Sequence, residues 1–381
     1  MMSTEQGLSD QLTAWRRHLH AHPELSRAEV ETAAFVCARL AEWGIPFEAG
    51  VGGHGVVATL ARGTSNRSVG LRGDMDALPI LEQTGLAHAS VRPGVMHACG
   101  HDGHTTSLLG AAWLLHQDQE WAGTVRLVFQ PAEEGAGGAQ AMLDDGLLTR
   151  FPMERIFGYH NWPGLEAGTI AAMAGPVMAS ASRVEFTMHG KAGHAGLPHL
   201  TRDPVLAAAQ ALVALQSVVS RTINPMDSAV LSFCVMEAGA ATNQIPDRAT
   251  LRGTYRAHGV AVRDAMAVAI ERVVQGTAVA MGMTASVAIS HSTPPTVNPA
   301  AEADLAAKAA VRAGGVVRRD LTPSLVAEDF GAYQRHIPGA FLWIGNGDSA
   351  GLHSPDYDFN DQILPVAART LAAVARAALA R

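Results

Sequence analysis

A chain of 381 residues exceeds what one ordinary core organises, so two or three domains are expected. Formal net charge is -7 and Lys and Arg form no block, which excludes the basic face that nucleic-acid binding needs. Charged residues make up 17%, below the roughly 25% of typical globular chains, while hydrophobic residues reach 48%, as in a compact chain and not a disordered one.

The start, MMSTEQGLSD, has no charged segment followed by an apolar one, so no secretory leader is expected. The segment from Ser9 towards Pro23 reads as a helix. A second helix follows in SRAEVETAAFVCARLAEWG, with Ser26 and Glu29 as a capping-box pair and Gly44 at its end. Short β-rich runs come next: GVVATLA, SVGLRGD, TVRLVFQ and RIFGYH. They alternate with the helical patterns HTTSLLGAAWLLHQD and GGAQAMLDDG, which implies an α/β layer with a mainly parallel sheet. The texture changes near Ser180. From there strand and helix patterns follow the order β-α-β-β-α-β, the split, ferredoxin-like unit of a separate small α+β layer. After about Ser290 the first style returns and ends in an Ala-rich helix from near Asp361. A discontinuous catalytic domain, 1–181 plus 291–381, with an inserted domain at 182–290, is therefore expected.

No apolar run reaches the ~18 residues of a spanning helix, so no membrane partner is expected. Three cysteines, Cys37, Cys99 and Cys234, are too few and odd in number for a disulfide framework. A reducing cytoplasm is the expected compartment, and there a free thiol can ligate a metal.

Four apolar strand patterns each run into a polar cluster. These lead to Asp74 and Asp76, to Glu133 and Glu134, to His160 and Asn161, and to His353. Ligands of open α/β sheets bind beyond the carboxyl ends of the strands, so the four clusters are expected to converge. The densest string, MHACGHDGHTTS, holds His97, Cys99, His101, Asp102 and His104. Thiolate with imidazole suits zinc and tolerates cobalt, nickel, iron or manganese. For His97 and His104 a packing or supporting role is the better reading. Cys37 and Cys234 read as small buried hydrophobes, and His20 and His22 as structural. Adjacent glutamates after a strand point in different directions, so one can hold a metal while the other takes a proton. Either Asp74 or Asp76 can orient a ligating imidazole. The string GDSAG around Ser349 fits the G-x-S-x-G pattern, but a loop-like LHSPDYDFN follows where a nucleophile elbow needs a helix.

These stretches together resemble the M20 metallopeptidase clan, in the branch of hippurate hydrolases, N-acyl-amino-acid amidohydrolases and auxin-conjugate hydrolases. The strings are HPELSRAEVET, LRGDMDALP, MHACGHDGHTT, VFQPAEEGAGGA, GKAGHAGLPH, TNQIPDRATLRGTYR, AEDFG and LHSPDYDFND, in family order over nearly the whole chain. The resemblance implies metal ligands at Cys99, His101, Glu134, His160 and His353, a general base at Glu133, and an orienting carboxylate at Asp76. It implies two divalent ions per subunit (manganese, zinc, cobalt or nickel), with Cys99 or His101 near the bridging place. It further implies an oxyanion-stabilising His194, and Asn243 and Arg256 as holders of the substrate carboxylate. The inserted domain then resembles a lid and dimerisation domain, giving a homodimer or higher homo-oligomer. Tyr159, in GYHNWP, stands where many relatives carry an aliphatic residue; it either touches the site or packs.

The expected reaction is hydrolysis of an N-acyl amino acid, such as hippurate, to a carboxylic acid and a free amino acid. Metal-bound water is the expected nucleophile. A dipeptidase or carboxypeptidase of the same clan differs only on the acyl side, and a non-catalytic metal or amino-acid binding protein is the remaining alternative.

Overall fold

A computed structural model describes residues 5–135 and 137–380. Residues 1–4, within the stretch where no secretory leader is expected, lie outside the described residues. Two compact units emerge. One comprises Met1–Gly175, Val297–Thr322 and Asp329–Arg381, the other Pro176–Thr296 and Pro323–Glu328.

The first unit is built on an eight-stranded sheet. Its order is Phe47–Val51, Gly55–Arg62, Gly123–Gln130, Ser68–Asp74, Ile156–Pro163, Gly339–Gly347, Ile170–Ala171 and Val317–Arg318. The four strands from Gly123–Gln130 to Gly339–Gly347 run parallel to one another, flanked by antiparallel partners on both sides. Gly339–Gly347 is almost wholly apolar because both its faces are covered; every residue but the last is buried. The helices His101–Gln117 and Leu364–Leu379 pack on each other and on this sheet. Leu108, Leu109, Leu115, Leu364, Leu371 and Val374 are buried at this layer, each contributing about 1.5–3 kcal/mol by leaving water.

The first helix spans Glu5–Ala21, starting earlier than Ser9. The second spans Val30–Glu42, and the expected capping box is absent. Glu24 takes that role instead, its Oε2 accepting the Thr32 amide at 2.8 Å and the Thr32 hydroxyl at 3.0 Å. Ser26 and Glu29 turn to other partners, described below. Gly44, with φ of 68°, ends this helix as expected.

The second unit is an antiparallel sheet with strand order Thr284–Thr293, Gly175–His189, Arg248–Ala257, Ala229–Ala238. Along the chain it reads strand, helix Pro204–Ser217, strand, strand, helix Val260–Ala280, strand. Val184, Phe186 and Met188 alternate into its core against Ala208, Leu215, Ile270 and Val274, while Arg183 and Glu185 face out. This unit is wider than the segment 182–290. Gly175–His189 is one long strand, and Ser324–Ala327 pairs with it in parallel, a stretch too short to show a period. Cys234 is exposed on Ala229–Ala238, a correction to its reading as a buried hydrophobe: this is an edge strand of the four.

Two helical stretches, Pro204–Thr222 and Asp361–Leu379, have the length and composition to cross a membrane, which amends the expectation that no run does. Their average is set by Ala, Val and Leu, with short polar interruptions such as Gln216-Ser217 and Arg369-Thr370. In the second, 67% of the apolar window is buried, as in a core helix.

A candidate metal centre at the strand ends

The parallel strands deliver their polar residues to one end of the sheet. Asp74 ends its strand and Asp76 lies two residues beyond it; Glu133 follows Gln130 by three. His160 lies inside Ile156–Pro163 rather than past its end, because Trp162 and Pro163 continue the pairing with Gly345 and Gly347. His353 follows the last parallel strand, and its amide donates to the Ala98 carbonyl at 2.7 Å. Three non-glycine residues among those described have positive φ, and two of them are Ala132, at 56°, and His353, at 63°. Such backbone costs about 1–3 kcal/mol and persists where the surroundings over-determine it.

A sharp turn separates Cys99 from His101. Gly100, φ 95°, is the N-cap between them, and His101 opens the helix His101–Gln117. A Cβ at residue 100 would stand 2.2 Å from Asn161 Oδ1, so this position requires glycine on two counts. The sharp turn brings the Cys99 Sγ to 3.3 Å from His160 Nε2.

Asp76 organises the centre. Its Oδ1 receives the Glu133 amide at 3.1 Å and meets His101 Nδ1 at 3.2 Å. Its Oδ2 receives the Glu134 amide at 3.0 Å and the Ser26 hydroxyl at 2.6 Å. Burial would raise this carboxyl, but the bonds from His101, Ser26 and the Glu134 amide outweigh it and hold the pKa below the ordinary value. Glu29 braces the same turn, its Oε1 accepting the Ala132 amide at 2.7 Å. Sequence reading assigned Ser26 and Glu29 to a helix cap; the signal missed was that HPELSRAEVET is among the strings that carry the resemblance.

Metal-ligand-type atoms lie within 4.8 Å of one another in overlapping triples: Cys99, His101 and His160; Cys99, Glu134 and His353; His101, Glu133 and Glu134. Thus the structure brings together all five expected ligands and Glu133. His353 Nε2 lies 3.2 Å from Glu134 Oε1. Three observations fit a cation here. His101 Nε2 is buried without a hydrogen-bond partner. His160 donates from Nδ1 to the Asn161 carbonyl at 2.7 Å, leaving the Nε2 lone pair towards Cys99. Sulfur, nitrogen and oxygen donors together match transition metals better than calcium or magnesium.

The electrostatics agree. Burial lowers His160, and His104 adds to this, so the ring is neutral as a ligand requires. Burial raises the Cys99 thiol, as do Glu134, Glu133 and Asp74. His101 is raised to about 10; burial opposes this, but Asp74, Asp76 and Glu134 together prevail. The centre is thus rich in negative charge and calls for a cation.

Both His104 nitrogens are engaged, Nδ1 with Asp74 Oδ1 at 2.5 Å and Nε2 with Asn161 Oδ1 at 2.7 Å, so this ring supports rather than ligates. Both His97 nitrogens are buried without partners. His20 is buried against Asp102 at 2.8 Å, and His22 bonds the His18 carbonyl. Tyr159 packs, its hydroxyl donating to Ser107 Oγ at 2.8 Å. No nucleophile elbow forms at Ser349: its hydroxyl bonds Asn346 and Ala350, and the next helical residue is Asp361.

On the second unit, His194 belongs to a two-residue strand paired with Gln244–Ile245, and the Ala195 amide bonds the Asn243 carbonyl at 2.9 Å. His194 and Asn243 are therefore neighbours, both exposed, while Arg256 is half-buried on Arg248–Ala257. His194 Nδ1 accepts the Gly196 amide at 3.0 Å, so the neutral ring carries its proton on Nε2.

A parallel α/β sheet whose strand ends gather a thiol, imidazoles and paired glutamates is the architecture of a metal-dependent hydrolase. Residues 70–377 match peptidase family M20/M25/M40, and the chain belongs to that family. N-acetyl-L-cysteine deacetylase of Bacillus subtilis is 40% identical over 93% of this chain and 85% of its own length. Hippurate hydrolase of Campylobacter jejuni is 39% identical, covering 94% of each chain. A dinuclear metal-binding peptidase of the M20 family from Bacillus subtilis superposes with a TM-score of 0.88 at 37% identity over 99% of both chains.

Proposed function

We infer that this protein is a metal-dependent amidohydrolase that splits N-acyl amino acids into a carboxylic acid and a free amino acid. The observation that carries this reading is the placing of Glu133 beside Glu134 and His101 within ligand reach. Relatives that act on N-acetylcysteine and hippurate support the substrate class.

Cys99, His101, Glu134, His160 and His353 would hold two divalent ions of manganese, zinc, cobalt or nickel. Cys99, His101 and Glu134 each belong to two of these triples, and of the three a thiolate would suit a shared place better than a neutral imidazole. When bound, such an ion supplies Lewis acidity and can lower the pKa of water from ~15.7 towards ~7. Asp76 holds His101 with Nε2 forward and fixes both glutamate amides. Glu133 takes the proton of the attacking water and returns it to the leaving amine nitrogen. His194 offers Nε2–H to the carbonyl oxygen as it gains charge, a donation worth about 2.7–4 kcal/mol in comparable sites. Asn243 and Arg256 hold the substrate α-carboxylate, a bidentate task for which Arg is suited.

Arg256→Ala is expected to raise KM strongly for acyl amino acids and little for matched amides lacking the carboxylate. Equal losses on both would reject the clamp. The function itself is tested by assaying benzoyl-glycine, N-acetyl amino acids and dipeptides with protein loaded separately with manganese, zinc, cobalt and nickel. Turnover of the acyl amino acids with at least one metal is expected. Turnover of dipeptides alone would move the assignment to a peptidase, and none with any metal would refute it.

A further inference from the structure

The motif AEDFG has no part in the chemistry described so far, yet its Asp329 is buried and tied to the catalytic turn. Its Oδ1 accepts from Gln130 Nε2 at 2.8 Å and from Arg72 Nη2 at 3.0 Å. Its Oδ2 accepts the Ala139 amide at 2.9 Å. Gln130 and Ala139 stand on either side of the Glu133–Glu134 pair in the chain, so one carboxylate fastens both flanks of that turn. The amide of Asp329 itself donates to Glu133 Oε1 at 3.2 Å. The remaining contacts stiffen the arrangement. Arg72 also reaches Asp74 at 2.6 Å and Gln130 Oε1 at 2.8 Å, and the Tyr333 hydroxyl donates to Gln130 Oε1 at 2.9 Å.

We propose that Asp329 is a positioning residue for the reaction: through Gln130, Ala139 and its own amide it sets where the Glu133 carboxylate stands. This rests on Glu133 being the general base. Displacing a catalytic group by about 1 Å can lower the rate about 10²-fold, so a fastening of this kind affects turnover more than affinity.

The test is a cycle of Asp329→Asn with Glu133→Gln, measured on the metal-loaded full-length protein with an N-acyl amino acid. Asp329→Asn keeps the side-chain outline but turns one oxygen into a donor facing donors. It is expected to lower kcat at least about 10-fold, with KM and metal content within about twofold of the parent. In the Glu133→Gln background the same change is expected to lower the residual kcat less than about twofold, because a mispositioned base no longer matters. A full additional loss in that background, or an unchanged kcat in Asp329→Asn alone, overturns the positioning role. Normal turnover in Glu133→Gln alone instead overturns the base assignment on which the inference rests. If Asp329→Asn does not fold, Tyr333→Phe removes only the outer hydroxyl. A smaller kcat loss that vanishes beside Glu133→Gln supports the role, and a loss that persists there overturns it.

Discussion

Glu133→Gln is expected to lower kcat by about 10²–10⁴-fold, or about 3–5 kcal/mol of barrier, while fold and metal content stay at parent level. The substitution is nearly isosteric, so the Asp329 amide still finds an oxygen where Glu133 Oε1 stood at 3.2 Å. The Glu133 backbone amide still meets Asp76. What disappears is the capacity to take a proton from water and deliver it to the amine. Because ground-state contacts survive, KM is expected to change little. Steady-state kinetics beside metal analysis checks this, and parent-level turnover would remove Glu133 from the role of base.

The second large effect is on metal content. Cys99 is buried, belongs to two ligand triples and faces His160 Nε2 at 3.3 Å. Cys99→Ala is expected to weaken metal binding by more than about 100-fold, since losing even an outer partner of a ligand typically costs 10–100-fold. Mass-spectrometric metal analysis after dialysis against a weak chelator reads it directly. If Cys99 is shared by both ions, the deficit extends to both; a full complement would take Cys99 out of the ligand set.

Much of this centre was legible in the amino-acid order because the relevant physics is local and periodic. Short apolar runs such as AFLWIGNG, bounded by glycine and polar residues, fit strands buried on both faces, and their ends announce where ligands gather. MHACGHDGH and PAEEG put several ligand-type residues within a few positions, which chance rarely does. What stayed hidden is geometry that no period encodes. Ser26 and Glu29 have the spacing of a capping box, yet tertiary partners claimed both: Asp76 for the hydroxyl and the Ala132 amide for the carboxylate. His160 is expected where its strand pattern ends, but the strand runs on through Pro163 because Gly339–Gly347 continues to pair with it. The tie between Asp329 and Glu133 joins residues 196 positions apart. Ser324–Ala327 is too short to declare which unit it joins.

The most direct measurement is anomalous diffraction from crystals of the protein loaded with manganese or zinc. Density for cations is expected within about 2.0–2.3 Å of Cys99 Sγ, His101 Nε2, His160 Nε2 and the Glu134 and His353 side chains for zinc, with the Glu133 carboxylate close by but unbound. Cations held elsewhere, or held by Glu133 with Glu134 left free, would contradict the assignment of this centre.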